Sequence, residues 1–232
     1  MDESTKDAIE FGSAQLAAGL LELLPGGSLL SRGLLLPVEI AERRRTERFL
    51  SDLATQIREL QEAERLPSIE DLVASDEFMA NLTEVVRSMK ATSDDEKRRL
   101  LANALINAQI DANPPELNEF FIRLAGRYSV LHVRMLRLIE PLPPFVSAEE
   151  SFPVIDGKRS GVMRDLRAIV EAAFPESSLL VTPVFQELSN DGLLITTQPN
   201  TRAIADLGRD ADRADTISDL GRAFVAFLRD PM

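Results

Sequence analysis

Along most of the chain apolar residues return every three or four positions, the period of a helix with one buried stripe. Phe49, Leu50, Leu53, Ile57 and Leu60 mark one such stripe. The opposite face carries Glu42, Arg43, Arg44, Arg45, Glu47 and Arg48, so the pattern predicts a long amphipathic helix over 38–64. Ser68 with Asp71 starts a short helix behind Pro67. Ser75 caps the next one, whose inward residues are Phe78, Leu82, Val85, Val86 and Met89. Ser93 and Glu96 form a capping box before a helix carrying Leu100, Leu101, Ala104, Leu105 and Ala108. Asn113-Pro114-Pro115 ends that helix, because a residue before proline is pushed out of the helical region. Short connections between such helices predict a bundle.

After Pro115 the helical period continues, with interruptions. Leu117, Phe120, Phe121 and Leu124 define a short helix that Gly126 stops, and Ser129 caps a nearly wholly apolar one over 130–139. A proline-rich loop spans 141–157, and a helix follows over 161–174. Thr182-Pro183 has the form of an N-cap followed by proline at the first helical position, and Gly192 closes that helix. Leu193 to Gln198 (LLITTQ) reads as a strand, and Ser218 opens a last helix with Leu220, Phe224, Val225, Phe227 and Leu228.

The first 36 residues are of another kind. Phe11 to Leu24 reads FGSAQLAAGLLELL, Pro25-Gly26-Gly27 breaks it, and SLLSRGLLL follows. The longest uncharged run, Phe11 to Leu21, has 11 residues, whereas a membrane-spanning helix needs about 20. A buried helical hairpin or a segment lying on a membrane surface fits instead. Phe11, Leu20, Leu21, Leu23, Leu24, Leu29, Leu30, Leu34, Leu35 and Leu36 are its candidate contact residues for a protein partner, a second copy of the chain, or a membrane. The organisation expected is therefore mainly α, with an apolar helical segment over 1–36, a helical bundle over 37–115 and a further module over 116–232.

Composition narrows the function classes. The chain has 232 residues, no Cys and one His, which removes disulfides and thiolate metal sites and speaks against zinc or histidine-triad chemistry. Net charge is −12, shared by both halves: 13 basic against 21 acidic residues up to Pro115, 13 against 17 after it. Such acidity opposes nucleic-acid binding, which depends on lysine and arginine neutralising phosphates. The N-terminus lacks the positive start of a secretory signal, so a cytoplasmic protein is expected, membrane-peripheral if the first segment lies on a bilayer.

The second half resembles a winged-helix module. Leu188-Ser189-Asn190-Asp191-Gly192-Leu193-Leu194 is similar to the joint between a helix and the first wing strand, and Thr216-Ile217-Ser218-Asp219-Leu220-Gly221-Arg222 to the exit from the second wing strand into a final helix. The resemblance implies a small two-stranded β-ribbon and, in the usual case, DNA binding with the helix before the wing in the major groove. This chain departs from that: the helix reads TPVFQELSND, without Arg or Lys, and the wing carries Asp206, Asp210, Asp212 and Asp215. A second resemblance covers the whole layout. The apolar first segment, the charged helix, KRRLLANAL over 97–105 and FFIRLAGRYSVLHVRMLRLI over 120–139 are together similar to uncharacterised bacterial proteins of the Abi-alpha type, associated with abortive infection or conflict systems.

Candidate chemistry fails on missing partners. His132, between Leu131 and Val133, has no second His or Cys and no carboxylate partner evident in the sequence, which favours a structural role. Glu149-Glu150 are adjacent in a polar loop. The Asp210, Asp212, Asp215 spacing lacks the oxygen ligand and glycine of a calcium loop. Gly157-Lys158-Arg159-Ser160-Gly161 lacks the phosphate-loop spacing. Arg43, Arg44, Arg45 and Arg48 follow the apolar segment as a membrane-binding patch would, but Glu39, Glu42 and Glu47 dilute them into a solvated face. The expectation is a non-catalytic interaction or regulatory protein without cofactor or evident small-molecule substrate. The alternatives are a membrane-associating effector and a DNA-binding transcription regulator.

Overall fold

The structure, a computed structural model, describes residues 37–141, 170–195 and 217–231. Of these 78% are helical, in nine helical elements without a strand, so the mainly α class holds. The chain divides into two compact units, one of residues 1–127 with 227–232, the other of 128–226.

In the first unit α1 (Pro37–Glu62), α2 (Ile69–Ala74), α3 (Asp76–Lys90), α4 (Asp95–Ile110) and α5 (Pro115–Arg127) follow one another on short connections. Ser68 and Ser75 cap α2 and α3 as the sequence predicts, accepting from the N–H groups of Asp71 and Phe78. The Ser93–Glu96 box is not used. Asp94 is the N-cap of α4 instead and accepts from the N–H groups of both Glu96 and Lys97. A carboxylate takes two donors, and its charge suits the positive end of the helix. Gly126 does not end α5, which runs on to Arg127. Its glycine faces α3: a Cβ there would stand 2.5 Å from Ser88 Oγ, a contact the hydroxyl can relieve by turning aside.

Helices α3, α4 and α5 pack on one another, and α1 lies against α3 and α4. The stripes read from the sequence are the core: Leu50, Leu53, Leu82, Val85, Leu101 and Leu105 are fully buried. Buried deepest is α4, whose covered residues include Leu100, Leu101, Ala104, Leu105 and Ile106 together with Lys97 and Asn107.

Three of the buried polar side chains, Lys97, Asn107 and Asn118, share one task. The last carbonyls of a helix have no partner within it, and in water-poor surroundings they need one from outside. Asn118 on α5 donates to Ala108 O in the last turn of α4, at 3.1 Å. Lys97 on α4 donates to Ala125 O in the last turn of α5. Asn107 donates to Phe227 O at 2.8 Å and Arg229 O at 2.9 Å, and Asn103 to Leu228 O at 3.3 Å. Arg65 reaches Pro231 O, and the Phe227 ring packs on Phe121 with centroids 5.1 Å apart. Residues 227–231 are thus tied into the first unit through backbone oxygens.

The second unit holds α6 (Val130–Ile139), a 3-10 turn (Pro175–Ser177), α7 (Ser178–Asn190) and α8 (Asp219–Phe227) up to Ala226. Thr182-Pro183 does not start α7; the helix begins at Ser178 and Pro183 lies inside it. The proline lacks the N–H that would bond Leu179 O one turn back, which α7 tolerates close to its N-terminus. Gly192 ends α7 at φ +75°, the left-handed conformation that glycine adopts without strain. In place of the expected strand from Leu193 there is an antiparallel bridge between Leu194 and Ile217, and residues 196–198 lie outside the described residues. Around that bridge the backbone closes tightly. Ser218 N–H donates to Leu193 O at 3.0 Å, Ser218 Oγ donates to Gly192 O at 2.6 Å and accepts from Gly221 N–H at 2.9 Å. A Cβ on Gly221 would stand 2.3 Å from Leu193 O, so α8 can start there only with glycine.

Two outcomes follow from the buried polar groups of the first unit. Asn107→Ala leaves the carbonyls of Phe227 and Arg229 without their amide partner and lowers stability by about 1–3 kcal/mol, read by urea unfolding. Burial pushes the Lys97 ammonium down from 10.5 to about 8, against the opposing effect of Asp94. Between those two values the unfolded chain binds more protons than the folded one, so Lys97 makes stability rise with pH across that window. In thermal unfolding the midpoint of wild type relative to Lys97→Met therefore climbs over this window; a constant difference would show that the ammonium is not desolvated.

Candidate functional site

The candidate contact residues Phe11, Leu20, Leu21, Leu23, Leu24, Leu29, Leu30, Leu34, Leu35 and Leu36 lie outside the described residues, as do Glu149-Glu150, the Gly157–Gly161 loop and the Asp210–Asp215 cluster. No helix among the described residues is long and apolar enough to cross a membrane. No group of three or more His, Asp or Glu among them is placed to hold a metal ion. Two polar constellations remain, one in each unit.

In the second unit His132 has the carboxylate partner that its sequence neighbourhood does not show. Its Nε2 lies 3.0 Å from Glu187 Oε2 on α7. Its Nδ1 faces two groups of the helix N-cap, the Ser129 N–H at 3.2 Å and Ser129 Oγ at 2.8 Å. A backbone N–H only donates, so Nδ1 carries the lone pair, the Ser129 hydroxyl donates to it, and the proton sits on Nε2 and points at Glu187. Beneath this chain the Tyr128 ring stacks on the imidazole at 4.5 Å, packs edge-on against Phe224, and donates its hydroxyl to Asp191. Serine, histidine and glutamate are the residue types of a hydrolase triad. Here both Ser129 donors converge on one nitrogen, as in a capping box with His132 at its third helical position, and the set ties the start of α6 to α7.

In the first unit α1 and α4 flank a cleft of about 670 Å³. Arg45, Arg48, Asp52 and Gln56 come from α1, and Asp95, Arg98 and Arg99 from α4, over a floor that includes Phe49 and Ala102. Asp95 pairs with Arg98 Nη2. The other terminal nitrogen, Nη1, is buried with no hydrogen-bond partner, and so is Gln56 Oε1. Arg45, Arg48 and Arg99 make no hydrogen bond or ion pair among the described residues, whereas Arg43, on the same basic run, pairs with Glu47 at 2.7 Å. The Asp52 carboxyl is pushed up from its ordinary value, since desolvation outweighs the attraction of Arg48 and Arg98. Two basic runs read separately in the sequence, one a solvated face and the other part of KRRLLANAL, therefore meet at one place. The signal available was their unusual density in an acidic chain; nothing in the spacing says that they converge.

No protein-family model, curated protein or solved structure matches the chain.

The two roles of His132 give opposite expectations for its neighbours. His132→Ala leaves the Ser129 N–H without its acceptor and unpacks Tyr128, and costs about 1–3 kcal/mol in urea unfolding. Glu187→Gln keeps an oxygen to accept from Nε2 and costs less than about 1 kcal/mol. Equal losses for both would mean that the network depends on the glutamate charge.

Proposed function

We propose that this is a non-catalytic interaction or regulatory protein of a bacterial cell, acting in a phage-defence or conflict system, whose second unit is a winged-helix-like module that meets protein rather than DNA. The observation that carries the reading is the surface of α7. Leu179 is 91% exposed and Leu180 55% exposed at its first turn, and the helix has no Lys or Arg. A helix that reads DNA needs cations for phosphates and polar groups for base edges. Large apolar side chains facing water are instead the material of a protein interface. Ile195, 44% exposed just past the bridge, adds to the apolar surface of the same unit.

Three further points support it. The two phrases that resemble wing joints do come together, through the Leu194–Ile217 bridge and the Ser218 hydrogen bonds to Gly192 and Leu193. The triad-like residues Ser129, His132 and Glu187 tie the start of α6 to α7, a structural use of that set. The similarity to Abi-alpha proteins supplies the bacterial and defence context.

Fluorescence anisotropy with mixed-sequence duplex DNA tests the choice of partner. The expected result is no saturable binding even at low ionic strength; saturable, salt-sensitive binding would transfer the assignment to a transcription regulator. Sedimentation over a range of concentrations tests self-association through α7. Wild type is expected to gain mass with concentration, and Leu179→Asp/Leu180→Asp to lose that gain.

A further inference from the structure

The arginine cleft of the first unit is independent of that reading, and its geometry points to a binding site for a small phosphate-bearing anion, of the size and charge of a diphosphate or a nucleoside polyphosphate. Four guanidinium groups line it, from Arg45, Arg48, Arg98 and Arg99, against the carboxylates of Asp52 and Asp95. Asp95 is already occupied by Arg98, so the balance facing the open space is positive. This occurs in a chain of net charge −12, where such a concentration of cation has no general role in solubility.

Arg98 also carries an orphaned donor. Arg98 is held in place by Asp95 through Nη2, which leaves Nη1 buried without an acceptor. A buried guanidinium N–H without an acceptor is costly, and protein interiors rarely leave one so. With the Arg98 side chain turned toward the open space, a phosphate oxygen supplies the acceptor, and guanidinium groups grip phosphates through paired N–H donors. Gln56, which lines the same cleft, has a buried amide oxygen that also lacks a partner. As placed, that oxygen accepts from a phosphate hydroxyl or its hydration water; with the amide turned over, its N–H₂ donates to the anion. A single carboxylate would satisfy one guanidinium and leave the others facing each other, so a ligand of higher charge fits better. The cleft, about 670 Å³, falls within the range of small-molecule sites. Arg45, Arg48 and Arg99 make no hydrogen bond or ion pair among the described residues, only the attraction between Arg48 and Asp52, and can turn toward such a ligand.

Isothermal titration calorimetry on the full chain at low ionic strength tests this, with pyrophosphate, with ATP, and with phosphatidylcholine vesicles carrying a phosphoinositide. Saturable binding that weakens as salt rises is expected for at least one of the three. Pyrophosphate and ATP binding alike assigns the site to the phosphate group alone; tighter ATP binding assigns an organic body to the ligand; vesicle binding alone assigns a lipid headgroup. Arg48→Gln/Arg99→Gln, both at exposed positions, should weaken binding at least about tenfold while circular dichroism stays unchanged. Arg98→Met should do the same, and if it unfolds the chain the double variant still decides. Silence from all three probes, or unchanged affinity in the double variant, overturns the proposal.

Discussion

Burying α4 on nearly every side is the constraint from which the first unit follows. A helix covered by apolar neighbours cannot leave its own polar side chains, or the carbonyls at nearby helix ends, to water. The chain meets both needs with the same groups. Lys97 and Asn107, the polar residues that α4 buries, each donate to a carbonyl at or just past the end of another helix, and Asn118 donates back to the end of α4 itself. Packing and hydrogen bonding are therefore not separate layers here. Exchanging any of these side chains for an apolar one of similar size fills the space but strands an oxygen.

The same constraint explains where the cleft lies. Arg98 and Arg99 follow Lys97 directly, at successive steps of about 100° around α4, and both line the cleft between α4 and α1. One of three adjacent cations is buried as a helix tie, and the other two reach toward α1. In the second unit the solution differs. There the polar groups pair among themselves, Tyr128 with Asp191 and His132 with Glu187, so that two short helices are joined by side chains and by the tight backbone at Gly192 and Gly221.

Much of this was legible from periodicity. The stripes at Phe49 to Leu60, Phe78 to Met89 and Leu100 to Ala108 name the core, and Ser68, Ser75, Ser129 and Ser218 mark helix starts where the structure has them. The misreadings came where two local signals competed. Ser93 and Asp94 both qualify as caps, and the charged group with two donors wins. Pro183 looks like a first-turn proline, but the apolar residues before it extend α7 backwards to Ser178. Gly126 looks like a stop, yet α5 runs through it to Arg127. The sites were illegible for another reason. Glu187 is 55 positions from His132, and Arg98 50 from Arg48, and no local rule links residues so far apart.

The ties between Asn103, Asn107 and residues 227–229 carry a consequence for the order in which the chain is made. The first unit is not continuous: everything from Tyr128 to Ala226 is inserted before the residues that complete it. On the ribosome α4 emerges with its two amides unanswered and Phe121 without Phe227 across from it. The first unit therefore cannot make these contacts until residues 227–229 have been synthesised, after the whole of the second.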